Sequence, residues 1–164
     1  MAYPTIDAVT RFRALLEGSN GMAASLAALS SNYGWEGGAL ADLKFEFVRV
    51  PTEIHEKSAG PKYPVLHVYC DQIESRRTEK FRPFSGRMRL VTEIRVSQDR
   101  LEGITESLHF YLDALRDVVE KSSGCNDGMY LDGEYEVTID AVRKGGLNYQ
   151  QVAKISCWAL LNKS

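Results

Sequence analysis

The apolar and polar residues follow a helical spacing at the N-terminus of the chain. In residues 5–17, "TIDAVTRFRALLE", apolar side chains recur every three or four positions, and Gly18 follows as a helix stop. This pattern predicts a short amphipathic helix. The next segment opens with the turn pair Asn20-Gly21 and is rich in alanine, which predicts a second, weaker helix that ends among the glycines at 34, 37 and 38.

Strand-like alternation replaces the helical spacing in the following segments. Residues 43–50, "LKFEFVRV", and residues 64–74, "PVLHVYCDQIE", alternate and are separated by a loop that contains two prolines and Gly60. Residues 87–97, "RMRLVTEIRVS", form the clearest strand. One of its faces is apolar except for Thr92, so we expect that face in a core, and we expect the arginine-rich opposite face to be half-solvated.

The longest helical pattern is "DRLEGITESLHFYLDALRDVVEKSSG". Asp99 with Glu102 three residues later predicts an N-terminal capping box, and Gly124 follows the C-terminal end. The apolar positions form one stripe, which predicts a helix lying on a sheet. The stripe comprises Leu101, Ile104, Leu108, Tyr111, Leu112, Leu115, Val118 and Val119.

The C-terminal part predicts a turn-rich link, "GCNDGMYLDG", followed by two strands joined at Gly145-Gly146. The order of elements predicts an α+β fold with an antiparallel or mixed β-sheet, an N-terminal helix and one long central helix. With 164 residues, the chain fits a single domain, residues 1–164, around one core. No signal peptide or apolar run of about 18 residues is recognisable, so no membrane partner is expected.

A search for catalytic and ligand-binding patterns finds none of the known nucleotide loops, nucleophile elbows or metalloprotease motifs. His67 and Cys70 fall on opposite faces of a predicted strand and cannot share a metal ion. His109 and Asp113 are helical neighbours that we expect to be solvated, and Asp-Gly pairs at 127 and 132 predict turns better than a calcium loop. We therefore expect no enzyme activity, no metal and no cofactor.

The segment 76–89, "RRTEKFRPFSGRMR", is strongly basic within a chain of net charge -2. Cations interleaved with aromatic rings are typical of single-stranded nucleic-acid grooves, so a nucleic-acid-binding module is one hypothesis. A contact with another copy of the chain is the other hypothesis, and the acidic overall charge favours it. Arg87 and Arg89 belong to the outer face of the predicted strand, which leaves four cations in the loop itself.

Taken together, these elements resemble the tail terminator (tail completion) proteins of long-tailed bacteriophages and prophages. The resemblance runs from about Ile6 to Leu161 and is one of pattern and order. It rests on the helix "TIDAVTRFRALLE", the strand "YPVLHVYCD", the strand and helix "GRMRLVTEIRVSQDRLEGITESLHFYLDALRDVV" and the hairpin "YEVTIDAVRKGGLNYQQVAKISCWALL".

The resemblance implies a structural virion protein, a minor tail protein made in the host cytoplasm and located in the tail or neck. Such a protein forms a homo-oligomeric ring, typically a hexamer, that caps the tail tube, ends its polymerisation and presents a docking surface to the head–tail connector. Genomic DNA would make only a passing contact. A component on the neck side of the joint is the closest alternative.

The resemblance also points to loops as the places where subunits or the tube make contact. The candidate contact residues are Arg76, Arg77, Lys80, Phe81, Arg82, Phe84 and Trp35. A ring with head-to-tail contacts needs a second, complementary patch on each copy. The candidate acidic patch on the long helix comprises Glu102, Glu106, Asp113 and Asp117.

Overall fold

The computed structural model describes residues 3–34, 44–46, 64–76 and 84–163. Within these ranges three helices and seven strands are present. The helices are α1 (Pro4–Glu17), α2 (Met22–Tyr33) and α3 (Ile104–Lys121). The strands are β1 (Lys44–Glu46), β2 (Val65–Ser75), β3 (Phe84–Gln98), β4 (Gly124–Asn126), β5 (Met129–Ile139), β6 (Arg143–Gly145) and β7 (Asn148–Lys163).

The strands form one mixed sheet in the order β1-β2-β3-β7-β5-β4, and β6 also pairs with β7. β1 pairs with β2 in parallel, whereas the other pairs are antiparallel. The predicted α+β class with an N-terminal helix and a long central helix is thereby confirmed. The part of the predicted strand 43–50 that lies beyond β1 falls outside the described residues.

The helices pack against one face of the sheet, which we call the helix face; Leu66, Ile94 and Ala153 align on it across three strands. The opposite side, where His67, Glu93 and Lys154 align, is the second face. The core on the helix face joins side chains from α1, α2 and α3 with alternate residues of the long strands. It includes Phe12, Leu16, Leu26, Leu108, Leu115, Leu66, Leu90, Ile94 and Ile155, each at most 1% exposed. Burying one such side chain stabilises the fold by about 1.5–3 kcal/mol.

The capping box predicted at Asp99 and Glu102 is wrong. The helix begins only at Ile104, and its N-cap is Gly103, whose φ of 79° is a left-handed conformation that favours glycine. The side-chain amide of Gln98 donates hydrogen bonds to the backbone oxygens of Arg100 and Glu102, at 2.7 and 2.6 Å. These bonds hold a turn before the helix, and Leu101, predicted in the buried stripe, is 57% exposed in that turn.

The expectation that the arginine-rich face of β3 would be half-solvated holds for only part of the strand. Arg87 and Arg89 are partly exposed, with 36% of each side chain accessible. Glu93 and Arg95, further along the same face, are buried, and Arg95 Nε donates to Glu93 Oε1 at 2.8 Å. This burial is tolerated because the two charges compensate each other. His67, which lies on the same face through its pairing with Glu93, is fully buried.

The C-terminal hairpin is confirmed, with Gly145 paired to Asn148 around the two-residue loop Gly146-Leu147. The turn at Asp127-Gly128 is also confirmed, because both residues have positive φ and connect β4 to β5. Asp132-Gly133 differs from the prediction. It is a bulge inside β5, where the register with β7 shifts and Asp132 Oδ1 accepts a hydrogen bond from the backbone of Glu134.

Candidate functional site

The basic segment connects β2 to β3 at one end of the sheet. Arg76 leaves β2 with its backbone N–H bonded to the Ser85 oxygen at 2.8 Å, which joins the two ends of the connection. Its side chain is 68% exposed, and its guanidinium lies 3.6 Å from Glu74. At the other end, Phe84 is partly buried and packs against the core. The other candidate contact residues, Arg77, Lys80, Phe81, Arg82 and Trp35, lie outside the described residues.

Arg87 and Arg89 lie on β3, as the alternation predicted, and each is bound by an acid of β2. Arg87 donates from Nε and Nη2 to Glu74 at 2.7 and 3.2 Å and lies 4.3 Å from the ring centre of Trp158. Arg89 makes a matching two-bond contact with Asp71 at 2.8 and 2.7 Å. Hydrogen bonding to Arg87 lowers the pKa of Glu74 and raises that of Arg87. These two cations are therefore largely neutralised within the sheet, which weakens the nucleic-acid hypothesis for residues 76–89.

The acidic patch predicted on α3 divides into two groups. Glu102 precedes the helix and Glu106 lies in its first turn, and both are exposed. Asp113 is also exposed and forms an ion pair with Arg116 at 3.0 Å. Asp117 is half-buried beside α2, where it accepts hydrogen bonds from Ser25 and Lys121. Asp117 therefore already has two partners within the chain, one of them the fully buried Ser25.

The residues considered for catalysis or metal binding are not brought together. His67 and Cys70 lie on opposite faces of β2, as predicted, and His109 is exposed on α3. Burial raises the pKa of the Cys157 thiol to about 12, so that thiol is protonated at neutral pH. Within the described ranges, no group of three histidine, cysteine or acidic residues is placed to hold a metal ion.

The two sides of the sheet end in strands that are only partly paired, a feature that sequence analysis missed. Beyond its three residues opposite β1, β2 has β3 on one side and no described strand on the other from residue 68 to 75. We call this stretch the β2 edge. On the far side, β4 pairs only with the start of β5, so residues 134–139 have β7 on one side and no described strand on the other. We call this stretch the β5 edge.

Side chains at both edges are accessible. On the β5 edge, Val137 is 37% and Ile139 44% exposed, and on the β2 edge Ile73 is 48% exposed. A groove of about 460 Å³ lies between α1 and the start of the β2 edge. It is lined by Thr5, Ile6, Val9, Thr10, Arg13, Val68, Tyr69 and Cys70. The signal available in the sequence was the strand "EYEVTI", which contains acids and apolar residues but no lysine or proline to protect an edge.

Comparison with known proteins gives no family assignment: no protein-family model matches the chain, and no curated protein matches it. None of the described helices is long and apolar enough to cross a membrane. The arrangement of the described residues therefore provides the basis for a functional proposal.

Proposed function

We propose that this protein is a structural assembly protein that forms a ring of about six copies on the tail tube of a long-tailed phage or prophage. The ring would cap the tube, end its polymerisation and present the docking surface for the head–tail connector. The observation that carries the proposal is the β5 edge, residues 134–139, whose outer side has no strand among the described residues. Unpaired backbone N–H and C=O groups at such edges are templates for pairing with another chain.

Two further features support self-association. The α+β order of helices and long strands agrees with the order that the resemblance implies. The chain also carries a local basic segment and separate clusters of acids, which suits a head-to-tail contact between two different patches of the same protein. The exposed Arg76 side chain at the start of the basic segment is available for such a contact.

The first test is the mass and shape of the purified protein over a range of concentrations, measured by light scattering and negative-stain imaging. We expect rings of about six copies at high concentration. Tail tube protein polymerised with and without this protein then tests the capping role, and we expect shorter tubes with a ring at one end.

The outcomes separate the candidate functions. Rings that bind the connector protein but leave tube length unchanged would assign the protein to the neck. A strict monomer that retards DNA at physiological salt, with binding lost on changing Arg76 and Arg77 to alanine, would contradict the assembly proposal. Binding to phosphates would also weaken steeply with salt.

A further inference from the structure

The β5 edge continues into β6 along the same side of β7. Asp140, just after β5, donates its backbone N–H to the Val152 oxygen at 2.9 Å, and Arg143, the first residue of β6, pairs with Gln150. Between these contacts the chain has two residues and β7 has one, which is a β-bulge. Among the described residues, no strand other than β7 pairs with residues 134–145, which we call the β5–β6 border.

The two halves of the β5–β6 border carry opposite charge on the same face of the sheet. Glu136 pairs with Ser156, and Arg143 pairs with Gln150. Both partners lie an even number of residues from Lys154 on β7, so Glu136 and Arg143 share the second face with it. The exposed acids of the β5 half are Glu134 and Glu136, and the exposed bases of the β6 half are Arg143 and Lys144. A second copy running in the opposite direction would set acids beside bases.

The backbone of β5 directs every second residue outward. In an antiparallel pair, residues that bond to the neighbouring strand alternate with residues that point away from it. Because Asp140 bonds to Val152, the residues of β5 that point away from β7 are Tyr135, Val137 and Ile139. The side chains of Val137 and Ile139 lie on the helix face and are 37% and 44% exposed. The border therefore offers a second strand both hydrogen-bonding groups and apolar side chains.

A two-fold axis at Ile139 matches this pattern to itself. Glu136, Ile139 and Arg143 pair with β7 at positions 156, 153 and 150, so Ile139 lies midway between the acid and the base. In a two-fold antiparallel pair, Glu136 of each copy would stand opposite Arg143 of the other, and Ile139 would meet its own counterpart. Both copies would keep their helices on the same side of one continuous sheet. Each interface would then contain the opposite-charge pair twice, with an apolar contact at its centre.

A register centred on Val137 is less favourable. It would set Glu134 of each copy opposite Asp140 of the other, and like charges directly opposite each other destabilise a sheet. The register centred on Ile139 avoids this contact, because Thr138 stands opposite Asp140 instead. Charge therefore selects the register at Ile139.

The length of the border fits this overlap. Pairing about Ile139 extends from Tyr135 of one copy to Lys144 of the other. The start of β4 lies opposite Leu131, beyond the overlap. The residues that follow Lys144, at 145 and 146, are glycines and bring no side chain to the start of β4.

Two features of the border act against pairing. Bulges and basic side chains also occur at edges that natural proteins protect. Glu136 in addition attracts Arg89 on the second face, although Arg89 already donates two bonds to Asp71. Pairing is favoured because the bases of the border have acids at matching positions of the symmetric copy. Residues 136–139 are also all exposed, so apolar area remains to be covered.

We propose that two copies of this chain pair through their β5–β6 borders, antiparallel and about a two-fold axis at Ile139. This inference goes beyond the proposed function, because a two-fold contact joins copies only in pairs. A ring needs a second contact, and the basic segment and the acids of α3 remain available for it. About three pairs joined in this way would make a closed set of about six copies.

The test reverses one charge at a time and follows the dimer by sedimentation velocity over a range of concentrations. In the Glu136→Arg variant two arginines would face each other, and in the Arg143→Glu variant two glutamates would. Each single variant should raise the dissociation constant of the dimer by about tenfold or more. The double variant, Glu136→Arg with Arg143→Glu, exchanges the charges and should restore the dimer.

Mixing the two single variants gives a second readout. An equal mixture should form heterodimers in which each arginine faces a glutamate, at concentrations where either variant alone is monomeric. This result cannot arise from a fold that one substitution has damaged. Circular dichroism checks the fold of every variant.

The matched control is Glu17→Arg, which makes the same change of charge far from the border. Glu17 pairs with Arg13, which lies beside β2 on the other side of the sheet from β5. This variant should dimerise like the unmodified protein.

The possible results separate this inference from the proposed function. Assembly that the single charge reversals leave unchanged, or that the double variant does not restore, would overturn pairing through the border while leaving self-assembly standing. Dimers that follow the charge pattern in a protein that does not shorten tail tubes would support the pairing and contradict the tail role. An unmodified protein that stays monomeric at every concentration would contradict both proposals.

Discussion

At the scale of single residues, Glu93 and Arg95 form a buried ion pair on the second face of the sheet. Their side chains are 3% and 5% exposed, and the guanidinium lies 2.7 Å from the carboxylate. Tyr69 also donates a hydrogen bond to Glu93 at 3.3 Å, and Lys154 lies 3.9 Å away. Removing one member of such a pair leaves a buried charge without compensation, and that loss is larger than the net stabilisation the pair provides.

We therefore expect Glu93→Gln to lower the free energy of unfolding by about 3 kcal/mol. The double variant Glu93→Gln with Arg95→Met should be more stable than Glu93→Gln alone, because it removes the uncompensated guanidinium. Urea denaturation of the unmodified protein, the Glu93→Gln variant, the Arg95→Met variant and the double variant gives the coupling energy between the two charges. Additive losses in this cycle would show that the two charges do not depend on each other.

The same strand shows what residue-level prediction could and could not achieve. Alternation placed Arg87, Glu93 and Arg95 on one face, and the structure confirms this. Alternation could not distinguish the partly exposed Arg87 from the buried Arg95, because burial depends on what covers each end of the strand. The sequence also did not predict the acidic partners of Arg87 and Arg89, because Glu74 and Asp71 lie beside them only through the β2–β3 register.

At the scale of elements, helix positions were predicted well and helix boundaries less well. The apolar stripe of α3 from Ile104 onward is buried as expected, because its spacing matches the helical period. The start was misplaced because Asp99 and Glu102 have the spacing of a capping box, whereas Gly103 adopts a left-handed conformation and the Gln98 amide holds the turn before it. The weaker α2 was also predicted, but its attachment to α3 was not.

Asp117 is the polar link in that attachment. Burial alone would raise the pKa of Asp117, but hydrogen bonds from Lys121 and Ser25 outweigh burial and hold the pKa below its ordinary value. A carboxylate with a lowered pKa in the folded state stabilises the fold above its ordinary pKa. This stabilisation is lost as the pH falls through the lower, folded-state pKa.

We expect Asp117→Asn to lower the free energy of unfolding by about 1–2 kcal/mol at pH 7. The difference from the unmodified protein should shrink as the pH falls below about 4, because the carboxylate of the unfolded chain takes up a proton there while the native carboxylate, with its lower pKa, is still ionised. Urea denaturation at pH 7 and pH 3 measures both effects. Asp113→Asn is the matched control, because Asp113 is exposed and pairs only with a neighbouring surface arginine, and it should change stability little. A difference that is the same at both pH values would contradict the role of ionised Asp117.

At the scale of the whole molecule, the order of elements was enough to predict the α+β class, whereas the sheet edges depended on pairings that no local pattern reveals. The sequence predicted strands at "PVLHVYCDQIE" and "EYEVTI" but not that each would have one side without a described partner strand. Among the described residues, β1 and β4 each comprise three residues and pair with only part of their neighbours. The sequence therefore predicted a contact between the basic loop and the acidic face of α3, but it did not predict a strand edge as an alternative contact surface.

Hydrogen exchange can decide between these two contact surfaces. Unpaired amides at a strand edge bond to water and exchange quickly, and pairing with another chain would protect about half of the amides in the β5 edge, since alternate residues point toward the partner. We expect the peptide covering residues 134–139 to gain protection when the protein concentration is raised from the monomeric to the assembled range. Peptides from α2, which lies away from both edges, serve as the internal reference. Protection that appears only in residues 76–83 and in α3, with residues 134–139 unchanged, would instead support contact between the basic loop and the acidic helix face and would contradict a role of the β5 edge in self-association.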